Sequence, residues 1–304
     1  MIKNRVLVLG GTGFIGRNLC EYFLEQGWTV TSFDLFAPQN RVDGIRYIEG
    51  DFFDDRQLSA AVNNQDVIIH SISTVTPGNS NVKFMQGYEK DLVQTAKLCE
   101  MLVGTNTKMI FLSSGGTVYG DQPVQPITEE SRTTPINHYG CIKICIENII
   151  RTFNIQFKTK FVIARVANPY GPGQDYKKGV GFVDAAVKKA LVGDEIEVWG
   201  DGETVRDYIH INDVCRMIHS LIRYRGAEDT FNVSSGEGVS QNAILTLLSE
   251  LGYEVKVSYK NARGVDVKRI ILDNRKIREF DTEPMMPFAR GIAQYCEYLK
   301  QHTF

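Results

Sequence analysis

The sequence carries no surplus of positive charge: 34 lysines and arginines stand against 36 aspartates and glutamates, a formal net charge of −2. Binding along a nucleic-acid backbone draws on a basic face, so no nucleic-acid partner is expected. The six cysteines, Cys20, Cys99, Cys141, Cys145, Cys215 and Cys296, form no CxxC pair and lie mostly in apolar stretches. That pattern fits neither a disulfide framework nor a metal site. It is what reduced core thiols of a cytoplasmic protein look like. No apolar run reaches the roughly 18 residues needed to span a bilayer, so no membrane association is expected. The opening MIKNRVLVLGG puts basic residues before apolar ones, as a signal peptide does, but it passes straight into a glycine turn and reads as a first β-strand. Low-complexity tracts, internal repeats and long linkers are missing as well.

What is present is an alternation of short β-branched runs with longer amphipathic stretches. Val6–Gly10, Thr29–Asp34, Arg46–Asp51, Val67–Ile72, Met109–Ser114 and Lys160–Ala167 read as strands. Gly16–Gln26, Asp54–Asn63, Phe84–Leu102 and Tyr139–Phe157 have helical spacing. The strands are almost continuously apolar, as expected where helices cover both faces of a parallel sheet. The fold class that follows is α/β, a doubly wound parallel sheet of the Rossmann type. After Ala167 the chain enters the proline- and glycine-rich loop NPYGPGQDYKKG, and later elements are shorter. Residues 1–167 are therefore expected to bind a cofactor and residues 168–304 to form a smaller α/β domain for the substrate, with some later segments packing back on the first.

Gly10, Gly13 and Gly16 follow the first strand and open the first helix in GGTGFIG. Such a turn lets backbone N–H groups, including those near Phe14 and Ile15, approach a pyrophosphate at a helix N-terminus. Asp34 closes the second strand about 20 residues on. Its carboxylate can accept from ribose hydroxyls and would repel a 2′-phosphate, so NAD is expected over NADP. Asp51 and Phe52, at the end of the third strand, are placed to meet the adenine, although Asp51 also reads as a strand-end cap. Tyr139 and Lys143 are four residues apart, on one face of a helix. A phenol becomes a useful acid/base near neutral pH when a cation stands beside it, and Lys143 has the spacing to supply one.

Together GGTGFIG, SSGGTVYG, YGCIK, ARVANPYGPGQ and VWGDGETVRDYIHINDV resemble, in order, the signatures of the extended short-chain dehydrogenase/reductase family, over about 200 residues. Within it the chain is most similar to NAD-dependent nucleotide-sugar 4-epimerases of the UDP-glucose/UDP-galactose type. The resemblance implies bound NAD, Tyr139 as acid/base and Lys143 as its partner. It also implies a nucleotide-sugar site in which Asn168, Arg206 and Arg263 hold the diphosphate and Trp199 stacks on the base. The family's sugar-binding hydroxyl stands four residues before the tyrosine of VYG, where this chain has Gly115. Thr117 and Ser114 are the hydroxyls that could take its role. Sister enzymes that eliminate water or carbon dioxide carry carboxylates where this chain has Gly116 and Thr117, so elimination is disfavoured. The region of Gly181 and Phe182 lacks an asparagine that many epimerases carry.

The expected reaction is 4-epimerisation of a UDP-hexose through a transient 4-keto sugar. A 4-ketoreductase with the same residues, or a non-catalytic NAD-binding regulator, are the alternatives. The family often dimerises through the helices that here span Phe84–Leu102 and Tyr139–Phe157, so a homodimer is expected. His70, His138 and His210 read as structural, and Cys141 and Cys145 as packing residues.

Overall fold

The computed structural model describes residues 4–175, 177, 181–262 and 267–303. Seven parallel strands form the central sheet: β1 (Arg5–Leu9), β2 (Thr29–Asp34), β3 (Ile45–Glu49), β4 (Val67–His70), β5 (Lys108–Ser114), β6 (Val162–Val166) and β10 (Thr230–Val233). Their order is β3-β2-β1-β4-β5-β6-β10. Leu9 pairs with Phe33 on one side and with His70 on the other, so the order reverses at β1. In open α/β sheets a ligand cleft lies outside the carboxyl ends of the strands at such a reversal.

The continuous apolar strands are explained by the layers that cover them. Val6 and Val8 face a core shared with α1 (Phe14–Glu25) and α8 (Ile211–Arg223), whereas Leu7 and Leu9 face one shared with α2 (Asp55–Val62), α4 (Val93–Leu102) and α6 (His138–Phe157). Local chemistry sets the helix ends: the Asp54 carboxylate accepts from the N–H groups of Arg56 and Gln57, and Asn137 accepts from that of Gly140. The stretch expected as one helix over 84–102 begins earlier and has three parts. These are α3 (Ser80–Gln86), a π-helical turn over Gly87–Leu92, and α4. Apolar periodicity does not register the extra residue that such a turn inserts.

Beyond residue 167, β7 (Asn168–Tyr170) runs parallel to β9 (Val205–His210), which also pairs with β11 (Gly238–Ser240) and β13 (Arg269–Ile270). β8 (Glu195–Trp199) pairs with β12 (Lys256–Lys260). With α7 (Phe182–Val192), α9 (Gln241–Glu250) and α11 (Phe288–Thr303) they enclose a third core that contains Val183, Val198, Leu248 and Tyr295. Other late segments belong to the first layer set: β10 extends the central sheet beside β6, α8 lies on α1, and α10 (Arg275–Arg278) lies by β10. Among the described residues, no helix is long and apolar enough to cross a membrane.

Candidate active site

The cleft begins at the glycine turn. Gly10 has φ +83°, and its N–H donates to the Phe33 carbonyl at 2.9 Å, which ties the turn to β2. A Cβ on Gly16 would run into the Gly10 carbonyl, so only glycine lets α1 start this close to the strand. Gly13 is the N-cap of α1 with no side-chain cap, and no acidic residue occupies the first turn. The unsatisfied N–H groups and positive dipole end of a twelve-residue helix therefore remain available to an anion. Gly10, Gly13, Phe14, Ile15 and Gly16 line a cavity of about 610 Å³ there. These features fit the pyrophosphate of a dinucleotide.

Asp34 and Asp51 are not among the described residues that line this cavity, nor is Phe52. The Asp34 carboxylate accepts from the Thr12 N–H (3.1 Å) and hydroxyl (2.6 Å) and from the Leu35 N–H (2.8 Å), which fixes it against the glycine turn. Asp51 accepts from the Phe53 N–H at 2.9 Å and so caps the turn after β3. The Phe52 ring is 3 % exposed and packs against Phe53 and His70, so it offers no face to an adenine.

Tyr139 and Lys143 open α6 and point into the same cavity. A Cβ on Gly140 would run into the Thr117 carbonyl, so this glycine lets α6 press against α5 (Gly115–Val118) and brings Thr117 to the tyrosine. The Lys143 ammonium donates to the Leu112 carbonyl at 3.0 Å and stands 5.4 Å from the centre of the Tyr139 ring, over its face. Burial pushes Lys143 down to about 8, against an upward pull from Asp91 and Glu147. Burial pushes the Tyr139 phenol up, and Asp91 adds to that, so the phenol holds its proton in the protein alone.

Asp91 escapes a reading of the sequence. It lies in the π-helical turn, 3 % exposed, and accepts from the Ser73 hydroxyl (3.0 Å) and the Thr74 N–H (3.0 Å). Nothing in GYEKDLVQ separates it from the solvated charges beside it. A second buried group stands behind the strand end: Glu147 accepts from the Ser113 hydroxyl at 2.6 Å and pairs with Arg165 at 2.7 Å, and Arg165 donates to the Tyr119 hydroxyl at 2.8 Å. Ser113 is thereby used structurally. Ser114, Gly116 and Thr117 line the cavity. At Gly115 a Cβ would overlap the end of the Leu272 side chain and approach the Arg165 carbonyl to 3.0 Å, so a larger residue there would have to displace Leu272.

The substrate end is a second cavity of about 250 Å³, lined by Asn168, Trp199 and Arg206 together with Thr204, Tyr208 and Gln241. Asn168 donates to the Asp207 carbonyl at 3.0 Å, and the Trp199 ring is 41 % exposed. Asn168 and Arg206 line both cavities, which places the two side by side. Arg263 lies outside the described residues. The histidines have local tasks: His70 is buried against Thr95 and pushed down to about 3 by its burial, His138 meets the Tyr88 hydroxyl at 3.1 Å, and His210 caps α8. Cys141 and Cys145 are half-buried on α6, and the other cysteines are buried and free.

A sequence model described as the NAD dependent epimerase/dehydratase family matches residues 6–234. The chain is similar to a UDP-glucose 4-epimerase of Thermotoga maritima solved with UDP-glucose, at 29 % identity and a TM-score of 0.91, covering 98 % of this chain and 99 % of that one. It is also similar to a Thermus thermophilus UDP-glucose 4-epimerase solved with NAD, at 26 % identity and a TM-score of 0.88, over 98 % of this chain and 100 % of the other. A dTDP-4-dehydro-6-deoxyglucose reductase of Escherichia coli is 28 % identical over 98 % of each chain.

Proposed function

The chain belongs to the NAD dependent epimerase/dehydratase family, and from that premise we propose that it is an NAD-dependent 4-epimerase of a nucleotide hexose. The observation that carries this reading is a pair of adjoining cavities, with Tyr139, Lys143 and Thr117 in one, Trp199 in the other, and Asn168 and Arg206 lining both. A nucleotide whose base lies on Trp199 and whose diphosphate meets Arg206 and Asn168 would lay its hexose toward Tyr139. Arg206 suits that task because a guanidinium can bond two phosphate oxygens at once.

NAD, when bound, supplies reversible hydride chemistry at carbon 4 of the sugar. Tyr139 first gives its own proton to solvent and, as the phenolate, takes the proton from O4 and later returns it. The Lys143 ammonium over the ring offsets the charge that the phenol acquires. Thr117 orients O4 in place of the hydroxyl that Gly115 lacks, with Ser114 as the second candidate. No carboxylate occupies positions 116 and 117, so the site has no base there for carbon 5, and elimination is not the reaction proposed. We also read the protein as a homodimer. α6 leaves Ile155 and Phe157 exposed, and the helical stretch from 80 to 102 exposes Val82, Met85 and Val93.

The reductase relative favours a second reading, in which the same residues reduce a 4-keto sugar. One experiment separates the two: the protein as purified is incubated with a panel of UDP- and dTDP-hexoses without added cofactor, and the products are resolved. The account expects interconversion of 4-epimers with no net use of cofactor. Stoichiometric loss of NADH with a 4-keto substrate would move the reading to the reductase. Failure of every hexose to turn over on NAD-loaded protein, together with failure of a 4-keto sugar to be reduced with NADH, would overturn both.

A further inference from the structure

Asn168 opens β7 and Arg206 lies on β9, and between these two residues of the site β9 changes partners. Val205 and Arg206 pair with β13, whereas Tyr208, Ile209 and His210 pair with β7, so the ladder passes from one strand to the other at Asp207. Strand pairing alone leaves backbone N–H groups beside such a change without acceptors. The Asp207 carboxylate supplies them. One oxygen accepts from the Ser235 N–H (2.9 Å) and hydroxyl (2.7 Å), and the other from the N–H groups of Gly236 (3.1 Å) and Leu272 (3.2 Å). The main-chain carbonyl of Asp207 accepts from the Asn168 side chain at 3.0 Å.

Asp207 is fully buried, and none of its four donors is a cation. A buried carboxylate without a counter-charge is costly, and burial pushes this one up to about 6 against the pull of all four hydrogen bonds. It still stands ionised at neutral pH. Four donors converging on two atoms need an acceptor at both ends of a short side chain, and asparagine would turn its N–H groups toward two of them. The result is a joint: the turn after β10, the segment after β13 and the first residue of β7 are all tied to the strand that carries Arg206.

We propose that Asp207 is a positioning residue for the substrate: by holding this joint it sets Asn168 and Arg206 side by side, where both line the two cavities and can meet one diphosphate. The proposal rests on the nucleotide-sugar reading above. Successive residues of a strand point to opposite faces, so Arg206 reaches the cavities while Asp207 points inward. Asp207 itself lines neither cavity. Its effect on binding therefore passes through Asn168 and Arg206, and the glycine turn that meets the dinucleotide is not part of the joint.

The test is Asp207→Asn in NAD-loaded protein, with the binding of UDP measured by calorimetry and with kinetics on UDP-glucose, NAD content and melting temperature recorded alongside. UDP should bind on the order of 10-fold more weakly, the scale of one charge-assisted bond to phosphate, and KM should rise while kcat and NAD content hold. Combined with Arg206→Leu, the loss of UDP affinity should fall short of the product of the two single losses by about 3-fold or more, as for residues that act through one contact. If Asp207→Asn does not fold, Ser235→Ala carries the same measurements, because it removes one donor and leaves the charge, and a loss of about 3-fold is then expected. Wild-type affinity for UDP in the variant, or losses that simply multiply, would show that Asp207 serves only the stability of the strands, and would overturn the proposal while the nucleotide-sugar reading stands. No binding of UDP or UDP-glucose by the wild type overturns that reading, and the proposal falls with it.

Discussion

Two residues of the site carry predictions of their own. Lysine is charged below its pKa, and burial brings Lys143 down to about 8, so the cation beside Tyr139 is lost as the pH rises through that value. Turnover should fall on the alkaline side with a midpoint of about 8. Asp91→Asn, which removes the charge that pulls Lys143 upward, should move that limb to lower pH. A pH profile of kcat/KM for both proteins checks this, and an unmoved limb would count against Asp91. The second prediction concerns Gly115. Since a Cβ there overlaps Leu272, Gly115→Ser should lower stability by about 1–3 kcal/mol, as overpacked core sites do, and bring no gain in turnover. Denaturant unfolding and a turnover assay read the two effects. The shared helix face of Tyr139 and Lys143 and the strand-end position of Asp34 are legible in the sequence, because a helix of period 3.6 and a strand end place side chains by rule, although Asp34 does not line the cavity. The burial of Asp91 is not, because it depends on a π turn that apolar spacing does not register.

At the scale of elements, α6 does two jobs with consecutive turns. Its first turns deliver Tyr139 and Lys143 to the cleft, and the next delivers Glu147 to Arg165 on β6, with Ser113 of β5 on the same carboxylate. This fully buried pair therefore locks the helix to the two strands whose ends form the site. Removing Glu147 leaves the buried Arg165 charged without a carboxylate, whereas Glu147 would still keep Arg151 at 2.9 Å. Glu147→Ala should cost about 3–5 kcal/mol in urea unfolding, and replacing Glu147 and Arg165 together by Leu and Met should recover much of that loss. A single-variant cost below about 1 kcal/mol would show that the pair does not hold the elements together. The parallel strands and the helices between them were readable from continuous apolar runs and helical spacing. The return of Thr230–Val233 to the central sheet was not, since a four-residue strand carries no periodicity and its partner, β6, is more than 60 residues away in sequence.

The whole molecule is one sheet that offers a dinucleotide site at its reversal point, and a smaller set of strands that extends the cleft past Asn168 and Arg206. If the two ends serve one ligand and the glycine turn another, they should be separable. Arg206→Leu should raise KM and lower kcat/KM about 10- to 150-fold, the worth of a charge-assisted bond to phosphate, while the protein keeps its NAD. Steady-state kinetics with cofactor content measured on the same preparation would show this, and loss of NAD in the variant would contradict the division. The central claim, that a hydride leaves carbon 4 and returns to the same carbon from the other side, is tested most directly with UDP-glucose deuterated at carbon 4 and no added cofactor. The account predicts UDP-galactose that retains its deuterium at carbon 4. Deuterium at another carbon, in the solvent or on released cofactor would contradict it.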